Sequence, residues 1–259
     1  MIDSLFIGET GLVASQTNLD VISNNMANIN TNGFKKNKVN FEDLVYRTVN
    51  ESPRLLGNDG YKQKIGSGTN ISSTEKVFTD GNLIQTDNPL DIAVSGAGLF
   101  EVIYSNNELA YTRNGSFKVN NDGLLATTEG YVLSDIISVP SDAKSILIQQ
   151  DGEVFADVFG QDELVSIGEI NIANFINNSG LDPIGRNLYL STENSGEADM
   201  GTPGDNGLGA LNQGFLEASN VDVTEEIVNL VLAQQGFQLN AKVIQASDDL
   251  LSITNDLYR

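Results

Sequence analysis

The two ends of the chain carry one kind of pattern, and a long stretch of another kind lies between them. Leu5, Gly8, Leu12, Ser15, Leu19, Ile22, Met26 and Ile29 step by alternating threes and fours. That spacing keeps a stripe on one side of a helix. Ile227, Leu230, Gln234, Phe237, Ala241, Ile244 and Leu251 repeat the step near the other end, with Asp248 as a charged break. A chain whose ends are built to bury against helices points to assembly before it points to catalysis.

The first stripe predicts a helix over 3–29 with Asp3 or Ser4 as its N-cap. Gly8, Gly11 and Ser15 are small enough for a second helix to come close, at a propensity cost of about 1 kcal/mol per glycine. Asn32-Gly33 is the stop signal. The second helix is expected from Thr224, capped by Thr224 or Asp222, with Glu225 and Glu226 in the favoured first turn. It carries a second apolar line, Val228, Leu232, Leu239, Val243, Leu250, Ile253 and Leu257. Two lines leave little polar face, so one partner helix cannot cover it.

Between the helices, 34–64 is polar, weakly periodic and reads as an extended linker. From 65 to 216 short β-type runs alternate with Asx-Gly turn pairs such as Asp80-Gly81, Asn114-Gly115 and Asp122-Gly123. Strands are expected near 90–94, 99–104, 116–119, 136–139, 145–149, 153–158, 167–172 and 188–191, with 193–209 a loop. The fold class is therefore α+β. Terminal helices (1–33 and 217–259) pair in a coiled-coil-like manner, 34–64 links them on, and 65–216 forms a mainly antiparallel β domain.

Composition narrows the function. The 259 residues carry a formal charge of −21, with no cysteine, histidine or tryptophan. So acidic a chain lacks the basic footprint of a nucleic-acid binder. Thiolate catalysis, Cys/His zinc sites and imidazole triads are excluded. No stretch approaches the roughly 20 apolar residues of a membrane span. The first nine residues lack a basic n-region, and Asp3, Gly8 and Glu9 break their apolar run, so they do not read as a secretory signal. Gly96-Ala97-Gly98 lacks the third glycine, helix and lysine of a phosphate loop and reads as a tight strand connection. The run from Asn120 to Gly123 resembles a calcium loop, but Lys118 would take the first ligand position, so a hairpin turn fits better. No catalytic, cofactor or metal set stands out among 35 acids, although paired carboxylates alone can support glycoside hydrolysis. The rival from another class is thus a secreted β-domain hydrolase or adhesin with oligomerising ends.

Several longer motifs carry a family resemblance. NNMANINTNGFK at 24–35 resembles the N-terminal signature of bacterial flagellar axial proteins of the rod and hook, with Asn25, Asn28, Thr31, Gly33 and Phe34 as signature positions. GFLEASNVD at 214–222, with Ser219, Asn220 and Val221, followed by EEIV at 225–228, resembles their C-terminal signature. GNLIQTDNPLDIAVSGAGLF at 81–100 and YTRNGSF at 111–117 resemble their shared β-domain motifs. Length, the segment 49–64 and Asn187-Leu188-Tyr189 before an acidic-glycine loop favour the distal-rod branch, with a proximal rod or hook subunit as the alternative.

The resemblance implies a structural subunit that polymerises helically into a hollow, torque-transmitting shaft. It implies export through the flagellar type III apparatus without signal cleavage, and helices that line an inner tube. Implied partners are further copies of the chain, proximal rod proteins, hook protein, the export gate and, in a Gram-negative envelope, surrounding ring proteins; nucleic acid and membrane insertion are not expected. Phe41, Leu44 and Val45 in FEDLV (41–45) resemble the motif that engages the export gate, with docking on the subunit's own β domain as the plainer reading. Leu5, Leu12, Leu19, Ile22 and Met26 are expected to assemble against Ile227, Leu230, Phe237, Ile244 and Leu251, with Gln234 fixing register as a polar residue in an apolar seam can.

Overall fold

In a computed structural model, residues 2–49, 63–105, 108–159 and 163–257 are described. They form two compact units, each assembled from separated segments. Most of the segment 49–64 that favoured the distal-rod branch lies outside the described residues.

The first unit comprises Met1–Ala27, Asn37–Glu75 and Asp222–Arg259. Its two helices are α1 (Ile2–Ala27) and α2 (Val223–Leu257). At about 1.5 Å per residue they are roughly 39 and 52 Å long. α1 begins before Asp3 and Ser4, so neither caps it. Asp3 lies in the first turn and pairs with Arg47 at 2.7 Å. Asp222 caps α2, its Oδ1 accepting from the N–H groups of Thr224 (2.7 Å) and Glu225 (3.2 Å). The expected linker 34–64 is extended but paired where it is described. Strand Asn37–Asp43 pairs with Thr69–Lys76, and Tyr46–Val49 pairs antiparallel with Gln63–Gly66. Polar sequence concealed these strands, because their side chains are mostly exposed and backbone hydrogen bonds hold them.

The second unit comprises Asn28–Lys36 and Lys76–Val221. Its main sheet is antiparallel and runs Asp182–Gly185, Leu188–Leu190, Leu109–Thr112, Leu99–Ile103, Val132–Leu133, Leu125–Thr127, Phe117–Val119. A three-stranded antiparallel sheet follows the order Ala143–Ile148, Glu153–Val158, Val165–Glu169. Two ribbons complete the unit: Ala210–Gln213 with Ile92–Ser95, and Phe215–Glu217 with Leu83–Gln85. Fully buried Ile92, Phe100, Val102, Phe117, Leu125 and Ile172 belong to one core. Phe100 and Phe117 meet edge to face there, 5.1 Å between ring centres. Behind Leu99–Ile103 a smaller cluster holds Leu99, Tyr111, Phe175 and Tyr189. That strand is buried on both faces, which explains its nearly continuous apolar run.

Three expectations need correction. The expected loop 193–209 contains the strand Asp199–Gly201, which pairs antiparallel with Ile172–Asn174 at the main sheet. Residues 136–139 form no strand. Ile136 sits at φ +45°, Ile137 is buried in the core, and Ser138 makes one isolated bridge to Leu124. Ile137 plugs the core and Val139 packs against it, whereas Ile136 is exposed. Nor is Asn114-Gly115 a hairpin turn: a Cβ on Gly115 would overlap the Ile92 carbonyl oxygen. That glycine is required by a backbone passing close by. Asn120–Gly123 does form the expected hairpin, with Asn120 Oδ1 accepting from Asp122 and Leu124 N–H, both at 2.9 Å.

Gly115→Ala is expected to destabilise the protein by about 1–3 kcal/mol, the range for forced overpacking. Denaturant unfolding of the full chain reads it; an unchanged midpoint would mean that the Ile92 backbone yields freely.

Candidate functional site

Candidates for a site are the surfaces and buried polar groups that ordinary packing leaves to be explained. Three stand out: the helix faces, a buried charge cluster and the 41–45 segment.

α1 and α2 run antiparallel. Gly8 lies beside Ile244, Gly11 beside Asn240, and Asn25 bonds Glu226. A Cβ on Gly8 would come 2.7 Å from Ile244 Cγ1, and one on Gly11 would come 2.7 Å from Asn240 Nδ2. Small residues thus set how closely the helices approach. Of the expected assembly residues, Ile22 is buried, while Leu5, Leu12, Leu19, Met26, Leu230, Phe237, Ile244 and Leu251 are half-buried and Ile227 is exposed. Buried Ala14, Asn25, Glu226 and Ala233 lie off the two stripes. The seam is therefore rotated towards small and polar residues, because two helices come closest where side chains are shortest. Gln234 is exposed and fixes no seam. Asn240, 3.5 Å from Ser15 Oγ, is the polar residue facing α1. Asn25 does more: its side chain exchanges two hydrogen bonds of 2.9 Å with the backbone of Asn37 while its amide reaches Glu226. A buried amide that copies a strand edge pins Asn37–Asp43 to α1.

The second apolar line of α2 stays open. Val228, Leu232, Leu239, Val243, Leu250 and Ile253 are 46–61% exposed. Spread along one helix, they form a patch of the kind that marks interfaces.

In the second unit, Glu217 is 2% exposed and gathers segments that are far apart in the sequence. Its carboxylate accepts from Lys35 Nζ at 2.7 Å, from Gly81 N–H at 2.7 Å and from Arg113 Nε. Its backbone carbonyl accepts from Gly33 N–H at 2.8 Å. Lys35 also donates to the Thr79 carbonyl at 2.7 Å. The Arg113 guanidinium donates to the carbonyls of Val94 (2.9 Å), Gly96 (2.6 Å) and Gly98, and to Asp80 at 3.2 Å. Gly96-Ala97-Gly98 therefore aims carbonyls at a cation, the reverse of a phosphate cradle. Asn220 braces the same region, its Oδ1 accepting from Lys36 N–H and its Nδ2 donating to the Val77 carbonyl, both at 2.8 Å. Phe34 lies under Lys76, whose Nζ is 4.7 Å from the ring centre. Val221 is buried, and Thr31 Oγ1 bonds Asn28 Oδ1 at 3.2 Å. Ser219 Oγ accepts from Val221 N–H at 3.4 Å.

Burial alone would raise the Glu217 pKa, but Arg113, Lys35 and the Gly81 N–H together hold it below its ordinary 4.5. Burial pushes Lys35 down against the opposing pull of Glu217. Among the described residues no group of three His, Cys, Asp or Glu side chains could hold a metal.

Phe41 and Val45 are exposed, on the strand Asn37–Asp43 and just beyond it, and Leu44 is half-buried with its N–H on the Gly68 carbonyl at 3.0 Å.

Three family models match the chain: "Flagella basal body rod protein" over residues 5–35, "Flagellar hook protein FlgE/F/G D1 domain" over 93–156, and "Flagellar basal body rod FlgEFG protein C-terminal" over 212–257. The flagellar basal-body rod protein FlgG of Buchnera aphidicola subsp. Acyrthosiphon pisum is 43% identical over 99% of this chain and 100% of its own. That of Bacillus subtilis is 41% identical over the whole of both chains. The chain belongs to the family of flagellar basal-body rod proteins. The hook protein FlgE of Salmonella typhimurium is 24% identical, and its alignment spans 406 positions against the 259 residues here. Rod membership, on the distal-rod branch that the sequence resembles, therefore stands ahead of hook membership.

In this rod protein each matched segment supplies one charge to the buried cluster: Lys35, Arg113 and Glu217. All three lie inside the recognised motifs, although nothing local in the sequence assigns them a shared role. The available signal was a lone charge in each of three otherwise uncharged stretches, NINTNGFK at 28–35, YTRNGSF at 111–117 and GFLEASNV at 214–221.

Glu217→Ala is expected to cost about 3–5 kcal/mol, since it leaves two buried cations without their carboxylate. The charged form's contribution should be complete above pH 4.5, the ordinary value, and drain away as the pH falls through the lower folded value. Urea midpoints measured from neutral to acid pH check this, and Glu217→Gln should flatten that acid limb.

Proposed function

We propose that the chain is a distal-rod subunit whose terminal helices pair as a coiled coil and become, together with those of other copies, the wall of an inner tube. The carrying observation is the open line of α2 from Val228 to Ile253, which α1 leaves uncovered. Identical copies packing head to tail bury such a line and generate a helical polymer. The resulting shaft is mechanical: helix packing holds the axis, and contacts between β domains resist torsion. Neither chemistry nor cofactor enters this reading. It replaces the hydrolase or adhesin alternative, which has no carboxylate pair singled out to support it.

As implied by the family, the subunit leaves the cell interior through the type III export gate without signal cleavage and takes its place in the cell-envelope part of the basal body. Its neighbours there are proximal rod proteins, hook protein and, in a Gram-negative envelope, ring proteins. Phe41, Leu44 and Val45 are proposed as the gate motif; the exposure of Phe41 and Val45 supports availability for a partner. Leu5, Leu12, Leu19, Ile22 and Met26 with Ile227, Leu230, Phe237, Ile244 and Leu251 are proposed as assembly positions.

Leu232→Asp with Val243→Asp is expected to leave the subunit folded, because both positions are exposed, while basal bodies lose their rod. Circular dichroism of the variant and electron microscopy of basal bodies read the two halves. Rods of normal length would sink the proposed role of the open face. Separately, Phe41→Ala should reduce secretion of the subunit, and normal secretion would remove Phe41 from the gate.

A further inference from the structure

The charge cluster of the second unit joins segments that are far apart in the chain. Lys35 and Glu217 are separated by 182 residues, Gly81 and Glu217 by 136, and Arg113 and Glu217 by 104. Contacts across such loops carry the largest closure entropy and tend to form late. The chemistry adds a second delay. Lys35 and Arg113 are 2% and 4% exposed. Of the carboxylates they contact, Glu217 is buried, whereas Asp80 is 59% exposed. Until Glu217 arrives, closing the site would desolvate two neighbouring cations without a buried anion. The backbone is conditional on the same segment. Gly33 N–H needs the Glu217 carbonyl, Phe215–Glu217 pairs with Leu83–Gln85, and Ala218 N–H bonds the Asn82 carbonyl. A Cβ on Gly81 would overlap the Ala218 carbonyl oxygen, so the two stretches meet backbone to backbone.

We propose that Glu217 is a closing latch: residues 28–36 and the Arg113 site of the second unit lock only when the 214–221 segment reaches them. A chain still missing that segment keeps Lys35 and Arg113 hydrated and the site open. The central core of Phe100, Val102, Phe117 and Leu125 contains no member of the latch and forms ahead of it. The latch thus ties final closure of the unit to delivery of nearly the whole chain. That property suits any chain moved end-first through a narrow passage, and it stands independently of the assembly reading.

Pulsed hydrogen exchange during refolding of the full chain tests the order. The Gly33 and Gly81 amides, which bond Glu217, should gain protection after the Phe100 and Val102 amides. Simultaneous or earlier protection overturns the latch. In a second measurement Glu217→Ala is followed through folding and unfolding in denaturant. The expected result is unfolding faster by roughly a hundredfold or more, with refolding changed by less than about twofold because a late contact has a low φ-value. Refolding slowed in proportion to the lost stability would place Glu217 in the nucleus and overturn the proposal. If the alanine variant does not fold, the exchange order in the unmodified chain decides alone.

Discussion

One buried carboxylate governs how the β-rich unit closes. Glu217 is met by Lys35 and Arg113, and no buried side-chain polar atom of the described residues lacks a partner. Replacing such a cluster by apolar residues can be neutral or stabilising, so the gain is not mainly in energy. What the cluster supplies is uniqueness. Two cations and one anion, all desolvated, have few other arrangements in which each is satisfied. Because the three come from the three segments matched by family models, the same constraint also fixes which stretches must meet.

The terminal-helix unit follows a different logic. Its seam brings glycine, alanine and polar side chains together with Ile22 and Ile244, and Asn25 ties α1 to both Asn37–Asp43 and Glu226. Large apolar residues that would complete a core are instead displayed on the far side of α2. In the proposed assembly, the apolar side chains on the outside of this unit are the ones that neighbouring copies cover. The β-rich unit, by contrast, carries an interior of its own and depends less on company.

Much of this was legible in the sequence, for identifiable reasons. Alternating threes and fours placed both helices within a few residues, and the strand Glu153–Val158 was read at its true bounds because one face is buried and the other open. Strands Leu109–Thr112 and Leu125–Thr127 escaped notice, since both are short and one is buried throughout. The strands in 37–49 escaped because their pairing is made by backbone groups, which composition does not reveal. Motif strings identified the family, yet they could not assign Lys35, Arg113 and Glu217 to one cluster: pairing across more than a hundred residues leaves no local trace.

The sequence by itself determined the helical ends, the β-rich middle, the exclusion of thiol and imidazole chemistry, and the family. These follow from local periodicity, from residues present or absent, and from contiguous motifs. Only the tertiary structure decided which face of each helix is used at home and which is left open. It also decided that the seam runs through Gly8, Gly11 and Asn240 and not through Gln234, and that Glu217 closes on Lys35 and Arg113. The reason is geometric. A stripe states that a face is apolar, while its partner is fixed by close approach and desolvation between residues that the chain itself keeps far apart.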